Sequence, residues 1–272
     1  MTKARELSDY TGLQGDLALK SPIASPSFTG NVGVGVVPES GWSSYSALQI
    51  GGTGSLFSST AAGAGSATQF ANNVYRDGSG NYKYIVTDEA SRTYQESGAH
   101  VFQVAPSGTA DAAISWNTAM TIDNAGIVTK PLQPSFNAKG SSTLSNIAIN
   151  TVMTVPFATE RFDVGSNYST STHKFTAPVA GKYLFHVYLR LQSVDASSTY
   201  YQVYCVTTNS SLEMHIYDSE SLDLDPTYWT STGTTVAHMD ANDTAHITLY
   251  QAGGQAQTDI HSNSTFCGYL IG

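Results

Sequence analysis

Regular alternation of apolar side chains over residues 181–191 restricts the fold of this chain more than any other feature. Every second residue is large and apolar, in the order Tyr183, Phe185, Val187, Leu189 and Leu191. A period of two predicts a β-strand whose one face is turned into a hydrophobic core. The side chains of the other face have large apolar portions, and most of them end in a polar group. We therefore expect this face to be partly covered as well. Its members are Lys182, Leu184, His186, Tyr188 and Arg190.

Composition extends this prediction to the whole chain. Only 12% of the 272 residues are charged, against roughly a quarter in an ordinary soluble domain. Serine, threonine, glycine, asparagine and tyrosine take their place. Aromatic and β-branched residues favour strands, whereas glycine and asparagine favour tight turns. The composition therefore predicts an all-β protein.

Charge and the N-terminal residues argue against several classes of partner. The net charge is −9, which argues against binding nucleic acid through phosphate neutralisation and against binding an anionic membrane. The opening MTKARELSDY has no apolar run of the kind found in signal peptides, and no stretch approaches the length of a membrane span. We expect synthesis in a cytosol, where Cys205 and Cys267 would be buried free thiols, with a disulfide as the alternative.

Breaks in the strand pattern divide the chain into three parts. Residues 1–20 hold the only plausibly helical stretch and are predicted to be a flexible or partner-ordered leader. Residues 21–130 consist of short strand-like pieces separated by turns such as DGSGN and DNAG. This part has few large aliphatic residues, so we expect three copies to share one interior. Residues 131–272 follow a proline-rich break and contain eight strand-like runs, which is typical of a jelly roll.

Four phrases stand out in the C-terminal part: PSFNA at 134–138, KFTAP at 174–178, GKYLF at 181–185 and STFCGYLI at 264–271. In order and spacing they resemble the globular head of complement component 1q, a trimeric jelly roll of the tumour-necrosis-factor type. Cys267, where the family usually has serine, and residues 217–229 depart from its pattern. The resemblance implies that Leu184, His186 and Tyr188 face neighbouring subunits. A monomer with this face in water is the alternative.

The middle part contains a series of short phrases: ASPSFTG at 24–30, NVGVG at 31–35, LQIG at 48–51, YKYI at 82–85, APSGTA at 105–110 and AMTIDNAG at 119–126. In this order they resemble recurring modules of bacteriophage tail fibres. Such modules form intertwined, β-rich trimers in that family. The resemblance therefore implies a homotrimeric fibre of the virion, made in the host cytoplasm and attached to other virion proteins through residues 1–20.

The stretch YDSESLDLDPTYW, residues 217–229, is the candidate binding site. It interrupts the strand pattern, so we predict a loop at one end of the sandwich. Aromatic rings stack on sugar faces and carboxylates accept hydrogen bonds from hydroxyls, so we expect Asp223, Asp225, Tyr228 and Trp229 to contact a host-surface glycan or protein. The alternative is a solvated acidic loop with Trp229 packed in the core. The same carboxylates suit calcium, which some heads of the family hold.

Catalytic motifs are missing from the sequence. It has no Gly-x-Ser-x-Gly elbow, His-Glu-x-x-His helix or phosphate-binding loop, so we expect neither enzymatic activity nor a cofactor. His238 and His246 flank Asp240 and Asp243 in a grouping that suits a metal, but turn residues explain it equally well. We expect a receptor-binding fibre protein. One alternative is a head that serves only to trimerise the three chains and align them during folding. The other is a fibre enzyme that degrades glycans.

Overall fold

The computed structural model describes residues 28–42 and 44–272, so the predicted leader, residues 1–20, lies outside the described residues. The chain divides into two compact units, Met1–Pro131 and Leu132–Gly272. Apart from one turn of 3-10 helix at Ser219–Ser221, all the regular elements in the described part are β-strands. No helix among residues 28–42 and 44–272 is both long enough and apolar enough to cross a membrane.

The first unit contains one sheet of eight strands and a separate hairpin. The sheet order is β1-β2-β3-β4-β7-β8-β9-β10, and the hairpin pairs β5 with β6. Only β1 and β2 run parallel, and every other neighbouring pair is antiparallel. The strands are β1 (Val32–Val34), β2 (Tyr45–Ile50), β3 (Gly54–Ser59), β4 (Thr68–Asn72), β5 (Tyr75–Arg76), β6 (Tyr82–Lys83), β7 (Asp88–Glu96), β8 (Ala99–Gly108), β9 (Asn117–Ile122) and β10 (Val128–Thr129).

One face of this sheet carries a small hydrophobic core. Trp42 and Phe57 pack together within it, with ring centroids 4.8 Å apart. Four of its eight buried residues are alanines, so the apolar area that this core removes from water is modest. Arg92 extends the layer, because its guanidinium lies 4.0 Å from the ring centroid of Tyr82 and 4.6 Å from that of Trp116.

The opposite face of the sheet carries a line of side chains that are half-buried or exposed in the single chain. Phe70, for example, is 60% exposed. Cross-strand register places seven residues from seven strands in this line, six of them apolar. We call it the apolar row, and its members are Val32, Leu48, Leu56, Phe70, Thr93, Phe102 and Met120.

The second unit is a sandwich of two sheets with jelly-roll topology. The first sheet has the order β13-β11-β22-β16-β19, with β21 beside β16, and the second has the order β14-β15-β20-β17-β18, with β12 beside β20. The strands are β11 (Ser135–Lys139), β12 (Met153–Thr154), β13 (Thr159–Val164), β14 (Tyr168–Ser169), β15 (Lys174–Thr176), β16 (Gly181–Gln192), β17 (Tyr200–Thr207), β18 (Ser211–Asp218), β19 (Tyr228–Met239), β20 (Thr244–Ala252), β21 (Asp259–Ile260) and β22 (Thr265–Leu270).

Alternation along β16 places its apolar face inside the sandwich, as the sequence predicts. Five alternate side chains, from Tyr183 to Leu191, are completely buried. Around them, Phe136 stacks on Phe175 with ring centroids 4.9 Å apart. Full burial of each such side chain contributes about 1.5–3 kcal/mol. Both cysteines are free thiols, but only Cys205 is fully buried, whereas Cys267 is half-buried.

The two ends of β16 define the two ends of this unit, which we call the head. The chain enters the head beside the first residues of β16, because Ser135 pairs with Tyr269 and Leu184 also pairs with Tyr269. The other end of β16, at Gln192, pairs with Tyr228 and Asp259. Twelve residues of strand separate these ends by about 36 Å, so the head has a proximal end and a distal end.

Candidate functional site

A polar cleft opens at the distal end of the head. Its volume is about 550 Å³, which lies within the usual range of ligand pockets. We call it the distal cleft, and seven residues line it: Ser145, Asn146, Ser193, Asp225, Thr227, Gln257 and Asp259.

Backbone hydrogen bonds build the two walls of the distal cleft. On one side, the Ser193 N–H donates to the Thr227 carbonyl over 3.1 Å. On the other side, Leu144 and Ile260 exchange two backbone hydrogen bonds of 2.9 and 2.8 Å. Asn146 and Ser193 have φ angles of 55° and 48°, a left-handed conformation that non-glycine residues rarely adopt and that is enriched at functional sites.

The two carboxylates of the cleft differ in how many of their oxygens accept hydrogen bonds from the protein. Asp225 accepts hydrogen bonds at both oxygens, from the Ala196 N–H and the Gln257 amide, each over 2.8 Å. These bonds, with the Gln257 amide contributing most, lower the pKa of Asp225. Asp259 accepts one bond at Oδ1, from the Asn146 N–H over 2.8 Å. No described residue donates a hydrogen bond to its second oxygen, which is therefore available to a ligand.

A buried carboxylate, Asp195, ties together the loops behind the cleft. It is 2% exposed and no Lys or Arg of the described residues forms an ion pair with it. Its Oδ1 accepts from the Ser197 N–H and hydroxyl over 2.9 and 2.7 Å, and its Oδ2 accepts from the Gln255 N–H and, over 3.5 Å, from the Gln251 amide. Gly254 makes room for this carboxylate, because an added Cβ would lie 2.1 Å from Oδ2.

The four residues predicted to bind a receptor occupy different positions. Asp225 lines the distal cleft. Tyr228 is 51% exposed, follows the cleft residue Thr227, and has the Arg190 guanidinium 4.2 Å from its ring centroid. Asp223 is exposed in the connecting loop and does not line the cleft. The loop itself is shorter than predicted, since β18 extends to Asp218 and β19 begins at Tyr228.

Trp229 points into the sandwich and not toward the cleft. Its ring stacks on Tyr217 with centroids 5.0 Å apart, and Tyr217 stacks on Tyr201 at the same distance. This stack joins β18 to β19, the last strands of the two sheets. Trp229 Nε1 and the Tyr217 hydroxyl are buried and have no hydrogen-bond partner in the described part of the chain. This arrangement favours a packing role for Trp229.

The predicted subunit-facing residues lie on the outward face of β16. Leu184, His186 and Tyr188 alternate with the buried residues and are half-buried in the single chain. Leu184 lies between Val236 and Tyr269, which are 49% and 46% exposed. His186 Nδ1 is 2.9 Å from the Thr234 hydroxyl. The assignment of these residues to a subunit interface remains a prediction.

Metal-ligating side chains do not converge in the described structure. Among residues 28–42 and 44–272, no group of three or more histidine, cysteine, aspartate or glutamate residues has a geometry that could hold a metal ion. His238 and His246 lie on the outward faces of different sheets, because each alternates with inward residues of its own strand. Asp243 instead caps the turn between them, accepting from the Asp240 N–H over 2.9 Å.

Most of the cleft was missed by reasoning from the sequence. Five of its seven lining residues lie outside the predicted stretch 217–229. These five, and Asp195 behind the cleft, belong to no motif and come from segments far apart in the chain. The only local signal was Asp225 in the acidic stretch. The missed lining residues are Ser145, Asn146, Ser193, Thr227, Gln257 and Asp259, of which Thr227 lies within the predicted stretch.

Comparison with known proteins concerns the head. The globular domain of zebrafish complement 1qA is 18% identical, covering 52% of this chain and 98% of that chain with a TM-score of 0.38. Murine APRIL at pH 8.0 is 10% identical, covering 51% and 99%, with a TM-score of 0.38. Eiger TNF from S. frugiperda is 12% identical, covering 52% and 92%, also with a TM-score of 0.38. No curated protein sequence matches the chain.

The pattern of the C1q domain family matches residues 135–271. This match spans half of the chain and covers every strand of the head. It agrees with the two six-stranded sheets and the jelly-roll topology. The chain therefore belongs to the C1q domain family.

Proposed function

We propose that this chain is a homotrimeric fibre protein of a bacteriophage virion, and that the distal cleft of its head binds a glycan or protein on the host-cell surface. One observation carries the proposal: the cleft lies at the end of the head about 36 Å from where the chain enters it. A ligand reaches that end without meeting the connecting segment. The resemblance of residues 24–126 to tail-fibre modules supplies the viral context.

The apolar row of the first unit supports the trimer. Six of its seven residues are apolar, and two shallow grooves of about 270 and 340 Å³ run along it. The neighbouring side chains on this face, such as Ser46, Ser58 and Thr68, are uncharged, so identical copies would not repel one another here. Exposed apolar surface of this extent favours a protein partner. A second and third copy of the same chain are the partners that the proposal requires.

The outward face of β16 supports the same assembly in the head. Phe162, Val236 and Tyr269 are each about half exposed on this face. Asn137 lies between Phe162 and Cys267 in the cross-strand register, and its Oδ1 is buried without a partner in the described part of the chain. A neighbouring subunit would cover the apolar side chains and supply a donor to Asn137. Three identical clefts would then raise a weak affinity through avidity.

Sedimentation of the full-length chain tests the trimer. We expect a trimer for the wild type and a monomer when Phe70→Asp and Leu184→Asp are combined, because the two charges would be buried in the two proposed interfaces. Val152→Asp is the matched control, since Val152 is 65% exposed in a connecting segment, and it should remain trimeric. A wild-type monomer at micromolar concentration would contradict the assembly.

Binding to host cells tests recognition. Labelled full-length chain should bind saturably to cells of the phage's host and should block phage adsorption. Asp259→Asn should weaken this binding at least several-fold, whereas Asp240→Asn, at the proximal end, should not. If wild-type protein binds no host cells, the recognition role is wrong.

A head that registers the three chains is a second candidate function, and the outward face of β16 specifically favours it. In that case Leu184→Asp alone should abolish trimers, while Asp259→Asn should leave both trimer and phage adsorption unchanged. These two variants therefore separate the two roles.

A further inference from the structure

The chemistry of the distal cleft indicates which ligand it takes. All seven lining residues are polar: three hydroxyl residues, two amides and two carboxylates. An apolar peptide side chain would gain little here, because it would desolvate these groups without hydrogen bonding to them. A ligand that carries many hydroxyl groups matches the lining, since each hydroxyl both donates and accepts.

Several polar groups that line the cleft form no hydrogen bond within the described part of the protein. The hydroxyls of Ser145, Ser193 and Thr227 and the side-chain amide of Asn146 make no hydrogen bond to the described part of the protein. Asp259 keeps one free oxygen. The cleft therefore offers four neutral groups that donate and accept, together with one strong acceptor. This mixture suits vicinal sugar hydroxyls.

Charge around the cleft disfavours anionic ligands. Asp225 and Asp259 line it, and Glu220 and Asp223 belong to the exposed stretch that leads to it. Arg190 has its guanidinium over the Tyr228 ring, and it does not line the cleft. A carboxylate or phosphate on the ligand would face like charges with no compensating partner in the cleft.

Tyr228 supplies a ring beside the cleft. Cross-strand register places Tyr228, Gln192 and Asp259 in one line across three strands, on the outward face at the distal end. The Arg190 guanidinium covers part of the ring, yet the residue remains 51% exposed. An exposed tyrosine next to hydrogen-bonding groups is able to stack on the apolar face of a sugar ring.

We infer that the distal cleft binds a neutral saccharide and discriminates against saccharides that carry carboxylate or phosphate groups. This inference rests on the proposed function, because it names the ligand class of the same cleft. The volume of about 550 Å³ accommodates a short oligosaccharide segment.

Matched pairs of sugars test the inference on the full-length protein. Saturation-transfer NMR and calorimetry would compare lactose and N-acetylchitobiose with sialyllactose and a phosphorylated disaccharide. We expect millimolar binding of at least one neutral sugar and at least tenfold weaker binding of the anionic ones. Asp259→Asn and Tyr228→Ala should each weaken neutral-sugar binding at least fivefold, and Asp240→Asn should not change it.

The possible outcomes separate this inference from the proposed function. Tighter binding of an anionic sugar would overturn the neutral-ligand inference while the recognition role stands. Cell binding that persists although no sugar of either class binds would also overturn it, and would indicate a protein receptor. Absence of host-cell binding would instead refute the proposed function. Equal sugar binding by wild type and both cleft variants would place the sugar outside the distal cleft.

Discussion

The buried carboxylate of Asp195 allows a sharp test of how the head holds its distal loops. Asparagine has nearly the same size, so Asp195→Asn creates no cavity; it replaces one carboxylate oxygen by an NH2 group and removes the negative charge. Oδ1 accepts from the Ser197 N–H and Oδ2 from the Gln255 N–H. In either orientation of the new amide, its NH2 group therefore faces a backbone donor that previously had an acceptor.

The expected magnitude follows from these contacts. A hydrogen bond to a charged group contributes about 1.5–3 kcal/mol, and an unsatisfied buried donor costs about 1–3 kcal/mol. The asparagine oxygen keeps part of the network, and the Ser197 hydroxyl is able to rotate and accept from the new NH2 group. We therefore expect Asp195→Asn to lower the free energy of unfolding of the head by about 2–4 kcal/mol.

Native-state hydrogen exchange of the full-length chain measures this loss within the head. Amides of β17 and β20 lie in the core and report global opening. A loss of 2–4 kcal/mol should make them exchange about 30-fold to about 1000-fold faster, at a fixed protein concentration because assembly also contributes.

The matched control is Asp240→Asn. Its exposed carboxylate accepts no hydrogen bond from the described residues, so its effect should stay within about 0.5 kcal/mol. If Asp195→Asn also stays within that limit, the network does not hold the loops as described.

Three further substitutions or conditions give definite expectations. Gly254→Ala should destabilise the head by at least about 2 kcal/mol in the same exchange assay, because the added Cβ would meet Asp195 Oδ2 and the residue has a φ of +76°; unchanged exchange would contradict this. Burial raises the pKa of the Cys205 thiol to about 12, so the folded state retains a proton that the unfolded chain loses above pH 9. The free energy of unfolding should then fall by about 1.4 kcal/mol per pH unit between pH 9 and 12 through this group, and urea titrations of Cys205→Ala should lack this part of the slope. Trp229→Ala should cost about 3 kcal/mol, at the lower end of the range for tryptophan because Trp229 is only partly buried, through loss of the stack on Tyr217; a solvent-exposed indole would leave exchange unchanged.

The sandwich was predictable because its strands obey local rules. Alternation along β16 depends only on which side chains water and core prefer, and that preference is visible residue by residue. Both the burial of Tyr183 and Phe185 and the half-buried state of Leu184 follow from it. The strand ends were less predictable. Residues 217–229 appeared irregular, yet Tyr228 continues β19, because pairing with Gln192 extends the strand beyond what its own composition indicates.

The first unit shows what a sparse composition produces. Its scarcity of large aliphatic residues predicts that one chain buries too little apolar area to be stable alone, so that three copies share one interior, and this remains a prediction. The structure nevertheless gives one chain an eight-stranded sheet, whose core depends on a few large rings, such as Trp42 and Phe57, packed against alanines. What the sparse composition does produce is a one-sided core. The apolar residues of the second face, including Phe70 and Phe102, remain exposed.

The distal cleft was not predictable because no local rule connects its parts. Asn146, Ser193, Asp225 and Asp259 lie in four separate segments, and each segment alone is an ordinary polar loop or strand end. They meet because Gln192, at the end of the longest inner strand, pairs on one side with β19 and on the other with β21. In this jelly roll the strands follow from the alternation of neighbouring side chains. The cleft depends instead on pairing between strands that are far apart in the sequence. The acidic stretch contains one residue that lines the cleft, Asp225, because a carboxylate near a strand end is visible in the local sequence. The groups around it are identified only when the strands are paired.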